Sequence, residues 1–153
     1  MTMTTAELLK EIQKAIVYDK AIDDWCKDKF DSYPTCFLGI DEQNPPAPDD
    51  YPVITIVGVT QNRSDTSREL SWDIDLGVGI ISETVSAEEG SKTYEGFLLA
   101  EDLREQAENA IFGIKPARIT TTGEAGTISY HPLYVSYSTI NVKLKKGSQE
   151  SLP

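Results

Sequence analysis

Two carboxylates spaced two residues apart are the groups in this chain that come nearest to metal chemistry. Asp73 and Asp75 alternate with apolar residues in LSWDIDLGVGI, residues 70–80. Strict alternation is typical of a strand that buries one face, and it places both aspartates on the other face. Carboxylates that point the same way could share a Mg²⁺ or Ca²⁺ ion, but such hard cations take more than two oxygen ligands. The sequence identifies no further ligand, so a solvated strand face is the competing interpretation.

No other group in the sequence offers a complete catalytic or cofactor-binding pattern. His131 is the only histidine and precedes Pro132, with no signature of a nucleophile for it to activate. Cys26 and Cys36 lack the basic neighbour or paired motif of a reactive thiolate, and with one histidine they fall short of a structural zinc set. The stretch TTTGEAGT, residues 120–127, lacks the Gly-Lys-Ser/Thr ending of a phosphate-binding loop. We therefore predict no catalytic residue, no cofactor and no metal, and a protein that is not an enzyme.

The aspartate side of the same strand continues into two positions that have no side chain, Gly77 and Gly79. Glycine weakens a strand and often marks a place where another backbone comes close. We therefore predict that this side of the strand contacts a second structural element or a neighbouring subunit. Replacing either glycine with leucine is then expected to impair oligomerisation more than folding of the monomer.

The charge balance argues against nucleic acid as a bound partner. The chain has 25 acidic and 14 basic residues and a net charge of −11, whereas phosphate binding depends on clustered lysine and arginine. Lys143, Lys145 and Lys146 form the only basic cluster, and lysines that guard an exposed strand edge explain it equally well. No apolar run reaches the roughly 18 residues that a membrane-spanning helix needs. Residues 1–16 also lack the pattern of a signal peptide. We expect an intracellular protein that does not bind membranes and keeps its cysteines reduced.

The chain begins with two predicted helical segments and a short strand. Thr4 and Glu7 form a capping-box pattern before an amphipathic helix over residues 5–18. A second helical segment ends before Pro34, and residues 35–40 then predict a short strand.

The next part of the chain predicts a long β-hairpin. Residues 41–50 are rich in proline, aspartate and asparagine, which excludes regular structure. Residues 53–59 are nearly all apolar and β-branched, the pattern of a strand covered on both faces. This strand pairs with residues 70–80, and the tip of the hairpin at residues 63–68 is charged.

The second half of the chain predicts one long helix between two polar connections. Residues 83–92 predict a polar loop, and residues 94–112 predict a helix that ends at Gly113. Its polar face is expected to carry Glu101, Asp102, Arg104, Glu105 and Glu108. Residues 115–128 predict a connection rich in glycine and threonine, either a loop or a small hairpin.

The last predicted strand, LYVSYSTINVKL, changes phase part of the way along. Its apolar residues lie on one parity before Ser138 and on the other parity after Thr139. A β-bulge or a sharp twist at these two residues would reconcile the two parities.

Together these elements predict an α+β fold: a mostly antiparallel sheet with a long hairpin, packed on one side by the N-terminal helix and a second long helix. Residues 1–146 are expected to form a single domain, and residues 147–153 a flexible tail.

The layout of these stretches is similar to one known family. DDYPVITI opens the first long strand, WDIDLGVGI the second, and YEGFLLAEDLREQAENAI supplies the long helix. Over residues 5–144 this order resembles the tail terminator, or tail completion, proteins of long-tailed bacteriophages and their prophage relatives, of the lambda minor tail protein U type.

The resemblance implies a structural virion protein of the phage tail, assembled in the cytoplasm of the bacterial host. Members of the family form a homohexameric ring that caps the tail tube, ends its polymerisation and offers a surface for head–tail joining. The implied partners are further copies of the chain, the tail-tube protein and a head-completion or connector protein. DNA would pass through the ring lumen without specific binding.

The candidate contact residues lie on the hairpin or at its tip, and they are Arg63, Asp65, Arg68, Asp73, Asp75, Gly77 and Gly79. Under the same resemblance the loops at residues 83–92 and 115–128 are expected to contact other rings.

Three alternatives remain open from the sequence. One is a head–tail connector or neck protein of related fold. From a different class, a small metal-dependent enzyme would use Asp73 and Asp75. The last is an acidic adaptor or DNA mimic, although the acidic residues are scattered over several predicted elements.

Overall fold

The computed structural model of the protein describes residues 3–64, 66 and 68–146. Helices and strands follow one another in this order: α1 Thr5–Val17, α2 Lys20–Phe30, β1 Thr35–Leu38, a 3-10 turn Pro48–Asp50, β2 Val53–Asn62, β3 Glu69–Ile81, β4 Val85–Glu88, β5 Ser91–Tyr94, α3 Glu95–Phe112, β6 Arg118–Tyr130 and β7 Leu133–Lys145.

Five of the strands form one sheet with the order β1-β2-β3-β7-β6. β1 is parallel to β2, and every other neighbouring pair in this sheet is antiparallel. β4 and β5 form a separate two-stranded hairpin. The fold is α+β, as predicted, and the long β2–β3 hairpin is confirmed.

The three helices pack on one face of the sheet, which we call the inner face. The alternation in β3 is confirmed, because its inner residues Leu70, Trp72, Ile74, Leu76, Val78 and Ile80 are all buried. They share one core with apolar residues of α1, α2 and α3. The helix α1 begins with the predicted capping box of Thr4 and Glu7. It is tied to β3 by the Trp72 Nε1 group, which donates a hydrogen bond to Thr5 Oγ1 at 2.9 Å.

Two predicted connections are instead strands. The prediction of a polar loop over residues 83–92 is wrong, because β4 and β5 form a hairpin there around Gly90, whose φ is +82°. The prediction of a loop or small hairpin over residues 115–128 is also wrong, because residues 118–130 form the long strand β6. Nearly every residue of these strands is exposed or half-buried, so neither segment carries the apolar alternation by which a strand is recognised in a sequence.

The phase change in β7 has a different cause from the one predicted. β7 pairs with β3 from Leu133 to Lys145 without a shift in register, so the predicted bulge in β7 is wrong. The irregularity lies in the neighbouring strand β6, between Thr122 and Gly126. In the first part of β7 the inner face is formed by Tyr134, Ser136 and Ser138, which are all buried.

The predicted polar face of α3 is partly buried. Arg104 and Glu108 are buried because α3 contacts strands of the sheet on one side and helices α1 and α2 on another. The Nη2 atom of Arg104 lies 2.6 Å from Glu101 Oε2, which keeps this buried cation paired. The helix ends at Phe112 with Gly113 as its C-cap residue, as predicted.

Candidate functional site

The outer face of the sheet, opposite the helices, is divided into two halves by an irregularity in each of two strands. In β2 the extra residue Val57 falls between the partners of Leu76 and Asp75. The irregularity in β6 lies at the same level of the sheet, because it falls between the partners of Thr139 and Tyr137, which in turn pair with Asp75 and Gly77. We call the outer-face positions on the hairpin-tip side the polar half: Asn62, Thr60, Gly58, Ser71, Asp73, Asp75, Lys143, Asn141, Thr139, Arg118, Thr120 and Thr122. On the other side, the name apolar half is used for the outer-face residues around Gly77 and Gly79: Tyr51, Val53, Thr55, Val57, Gly77, Gly79, Leu133, Val135 and Tyr137.

The two aspartates of the polar half are hydrogen-bonded by neighbouring strands. Asp73 Oδ1 accepts from Asn141 Nδ2 at 3.0 Å, and Asp73 Oδ2 accepts from Asn62 Nδ2 at 3.3 Å. Asp75 Oδ1 accepts from Thr139 Oγ1 at 3.0 Å. Asn141 Nδ2 also donates to Ser71 Oγ at 3.1 Å. The polar half is therefore a cross-strand network in which the carboxylates are acceptors for side chains of the same chain.

The arrangement around these aspartates does not bring together a metal-binding set. Within residues 3–64, 66 and 68–146 there is no group of three or more histidine, cysteine, aspartate or glutamate side chains that could hold a metal ion. The network stabilises the pairing of the strands, and its two carboxylates carry negative charge.

The apolar half is built on glycines with aromatic rings beside them. A Cβ atom placed on Gly79 would lie 2.9 Å from Tyr51 Cε1, so the Tyr51 ring already covers this position. A Cβ atom on Gly126 of β6 would lie 2.8 Å from the Tyr137 hydroxyl oxygen. Aromatic side chains that lie over strand glycines in this way compensate for the missing side chain.

Gly77 lies between these rings and is not covered by either. Its nearest neighbour for an added Cβ atom is Thr55 Cγ2 at 3.4 Å, an ordinary contact distance. The surface forms a hollow of about 270 Å³, lined by the loop residues Ile40 and Pro46 and by the apolar half. Thr55 Oγ1 is buried here without a hydrogen-bond partner.

Three residues that line the hollow are exposed although they are apolar or aromatic. Ile40 is 44% exposed, Val57 is 54% exposed and Tyr137 is 43% exposed. An apolar depression with exposed apolar residues at its border is a surface suited to contact with a partner protein.

The predicted contact residues fall into two groups that the fold keeps apart. Asp73, Asp75, Gly77 and Gly79 lie on the outer face of β3, as predicted from their parity. Arg63 and Arg68 lie at the β2–β3 turn, at the end of the sheet away from the glycines. Asp65 lies outside the described residues, as does the predicted tail at residues 147–153.

The hairpin-tip end of the sheet is also the basic end of the molecule. Arg118 Nη2 lies 3.0 Å from Glu69 Oε2 and donates hydrogen bonds to both carboxylate oxygens. Six of the 14 basic residues fall at this end, namely Arg63, Arg68, Arg118, Lys143, Lys145 and Lys146.

His131 takes part in a local contact at the start of β7. Its Nδ1 atom lies 2.6 Å from the hydroxyl oxygen of the buried Tyr134, and its Nε2 atom lies 3.7 Å from Glu83 Oε2. Burial raises the pKa of Tyr134. The Tyr134 side chain that His131 contacts is buried, which favours a structural role for the pair.

Both cysteines are poor nucleophiles in this fold. Burial, with a smaller contribution from the Asp23 carboxylate, raises the pKa of the Cys26 thiol to about 12. Burial raises the pKa of the Cys36 thiol to about 11. At neutral pH both groups are therefore protonated thiols rather than reactive thiolates.

Sequence reasoning missed most of the apolar half. With a bulge at Ser138 and Thr139, the sequence pattern predicts that Val135 and Tyr137 face the core, and it does not single out Tyr51 or Val57. The phase change in β7 was the signal that could have identified them. In β7 the apolar residues change parity, but one face of the strand covers the core along its whole length. This is possible because the small polar residues Ser136 and Ser138 are also buried.

Comparisons with known proteins leave the family of the chain open: no protein-family model matches it, and no curated protein matches its sequence. Among the helices of the described residues, none is both long enough and apolar enough to cross a membrane.

Proposed function

We propose that the chain is a structural subunit of a phage tail, a tail terminator that forms a ring on the end of the tail tube. In this role it ends polymerisation of the tube and provides the surface to which the head attaches. The proposal rests on the resemblance of its sequence layout to that family and on the shape of its outer face.

The observation that carries the proposal is the apolar half of the outer face. The hollow at Gly77 lies beside the exposed side chains of Val57 and Tyr137 on a chain whose net charge is −11. Burying exposed apolar surface contributes roughly 25 cal/mol per Å². A protein partner that fills the hollow gains this contribution. We assign this surface to the tail-tube protein.

The net charge of the chain supports the same role. A subunit with a net charge of −11 repels the phosphates of DNA, so a genome can pass a ring of such subunits without adhering. The carboxylates of Asp73 and Asp75 add to this charge, whereas Arg118 and Lys143 on the same part of the outer face offset it.

The test is a capping assay with the tail-tube protein encoded in the same gene cluster. The purified chain is added while the tube protein polymerises, and tube length and tube ends are examined by negative-stain electron microscopy. We expect shorter tubes with a ring at one end. The Tyr137→Ala variant, checked for folding by circular dichroism, is expected to shorten the tubes only at a concentration about tenfold higher.

Tubes that elongate normally and carry no ring would contradict the proposal. Binding to the portal or head-completion protein without binding to the tube would instead favour the connector alternative.

A further inference from the structure

Among the described strands, β6 is a long edge strand with no partner on the side away from β7. It is 13 residues long and pairs with β7, and no other described strand lies beside it. It contains no proline or lysine, the residues that natural sheets often use to block edge pairing. β6 therefore offers a row of backbone donors and acceptors on which another strand can be added.

The opposite edge of the sheet is open over part of its length. β1 pairs with residues 53–56 of β2, from Thr35 opposite Val53 to Leu38 opposite Ile56. Among the described residues no strand lies beside residues 57–62 on that side. The sheet thus has a second unpaired segment, at the edge away from β6.

The two open segments match in length, position and direction. On the hairpin-tip side of the two irregularities, β2 is regular over residues 58–62 and β6 is regular over residues 118–122. Each of these segments has five residues. Both lie in the polar half, and Thr60, Asp73, Asn141 and Thr120 form one row across the sheet. β2 and β6 run in opposite directions, since three antiparallel pairings separate them. If the sheet continued into a second copy of the chain in the same orientation, β6 of one copy would pair with β2 of the next, and the two strands would be antiparallel.

The shape of the edges also matches. β1 begins to cover β2 at the point where Val57 bulges. The irregularity in β6 lies at the same height in the sheet. A bulge bends its strand, so β6 can turn aside where the neighbouring copy carries β1.

Charge allows two copies to meet at these edges. Residues 53–62 carry no charged side chain, and residues 118–130 carry only Arg118 and Glu124. Arg118 is itself paired with Glu69. On a chain with net charge −11, these are neutral segments where repulsion between like copies is smallest.

We propose that residues 118–122 of β6 pair with residues 58–62 of β2 in the next copy, with Thr120 opposite Thr60, and that this edge-to-edge pairing joins the subunits of the ring. The inference rests on the proposed function for the ring itself. The two surfaces differ, so the contact is head-to-tail, and such contacts close into rings when the rotation per copy permits.

The pairing also gives the ring two different rims. With strands along the ring axis, every copy turns its apolar half toward one rim and its hairpin tip toward the other. One rim is then apolar and suited to the tail-tube protein, whereas the other carries Arg63 and Arg68 and faces a different partner.

The test is disulfide cross-linking of the Thr60→Cys/Thr120→Cys double variant. Both threonines are exposed, and the native thiols give little background at pH 8 because burial raises the pKa of Cys26 to about 12 and that of Cys36 to about 11. The protein is oxidised over a range of concentrations, separated on a non-reducing gel and followed in parallel by light scattering. Circular dichroism of the reduced variant checks the fold. We expect a ladder of covalent multimers that forms at least tenfold faster than any product of either single variant.

A matched control combines Thr60→Cys with Tyr130→Cys, which lies on the same face of β6 beyond the irregularity. It is expected to give no ladder.

Each other result overturns the pairing in a recognisable way. Rapid dimers from the Thr120→Cys single variant would mean that β6 pairs with β6. Oligomers seen by light scattering without a ladder would exclude this joint and leave the proposed function intact. A protein that stays monomeric and gives no ladder at any concentration would overturn the pairing, and the capping assay would then decide the proposed function by itself.

Discussion

The polar and apolar halves of the outer sheet face lie on the same strands, yet they differ in how complete they are. In the polar half, Asp73 and Asp75 are hydrogen-bonded by side chains of neighbouring strands. In the apolar half, Gly77 lies in an open hollow and Thr55 Oγ1 is buried without a partner. An open apolar hollow with exposed apolar residues beside it is typical of protein contact sites, so the apolar half has the features of a surface that a partner covers.

Two glycines that look equivalent in the sequence have different surroundings in the structure. Gly79 is covered by Tyr51 of its own chain, whereas Gly77 is open. The close approach predicted at the glycines is therefore made at Gly79 by Tyr51 of the same chain. At Gly77 there is room for a residue of another chain.

The largest expected effect is on folding, from Gly79→Leu. Its Cβ atom would lie 2.9 Å from Tyr51 Cε1, so the ring has to move, and overpacking of this kind costs about 1–3 kcal/mol. We expect the free energy of unfolding in urea to fall by about 2 kcal/mol. Gly77→Leu is the control and is expected to cost less than about 1 kcal/mol, because its Cβ meets Thr55 Cγ2 at an ordinary distance. Equal losses at the two positions would remove the distinction between them.

The next effect is on binding, from Tyr137→Ala. Exposed aromatic residues at the border of a pocket are frequent binding hot spots, and Tyr137 is such a residue. We expect the affinity for the tail tube, measured by co-sedimentation, to fall about tenfold, which corresponds to about 1.4 kcal/mol. Asp75→Ala truncates a nearby residue of the polar half and is expected to change the affinity less than twofold. If the aspartate variant lost more affinity than the tyrosine variant, the contact would lie in the polar half.

A smaller effect on stability is expected from Asp73→Ala. The change removes two hydrogen bonds, one from Asn141 Nδ2 and one from Asn62 Nδ2. Asn141 Nδ2 keeps Ser71 Oγ and the Trp72 carbonyl oxygen as acceptors, and Asn62 is exposed, so the expected cost is about 1 kcal/mol in total. Urea unfolding should show this loss with tube binding unchanged. Asp73→Asn keeps a carbonyl acceptor in the same place and should recover most of the stability. An unaltered Asp73→Ala variant would mean that the network does not stabilise the sheet.

Much of the fold could be predicted from periodicity, because a buried face imposes alternation on β3 and helical spacing on α1 and α3. The edge strand β6 and the hairpin β4–β5 could not, since few of their residues are buried and their sequences follow no core pattern. The candidate site was predicted in part. The parity of Asp73 and Gly77 follows from β3 alone, but the contribution of Tyr51 depends on a loop that no local pattern positions.

The smallest expected effect is that of divalent cations on the polar half. Asp73 and Asp75 already accept hydrogen bonds from Asn62, Asn141 and Thr139. No third ligand joins them among residues 3–64, 66 and 68–146, whereas Mg²⁺ and Ca²⁺ require several oxygen ligands. Calorimetric titration with Mg²⁺, Mn²⁺ and Ca²⁺ should therefore give no heat beyond dilution and no change in melting temperature. Saturable binding of one ion per chain that Asp73→Asn abolishes would overturn this expectation, and the polar half would then be the unfinished site, with a metal-dependent enzyme as the leading interpretation.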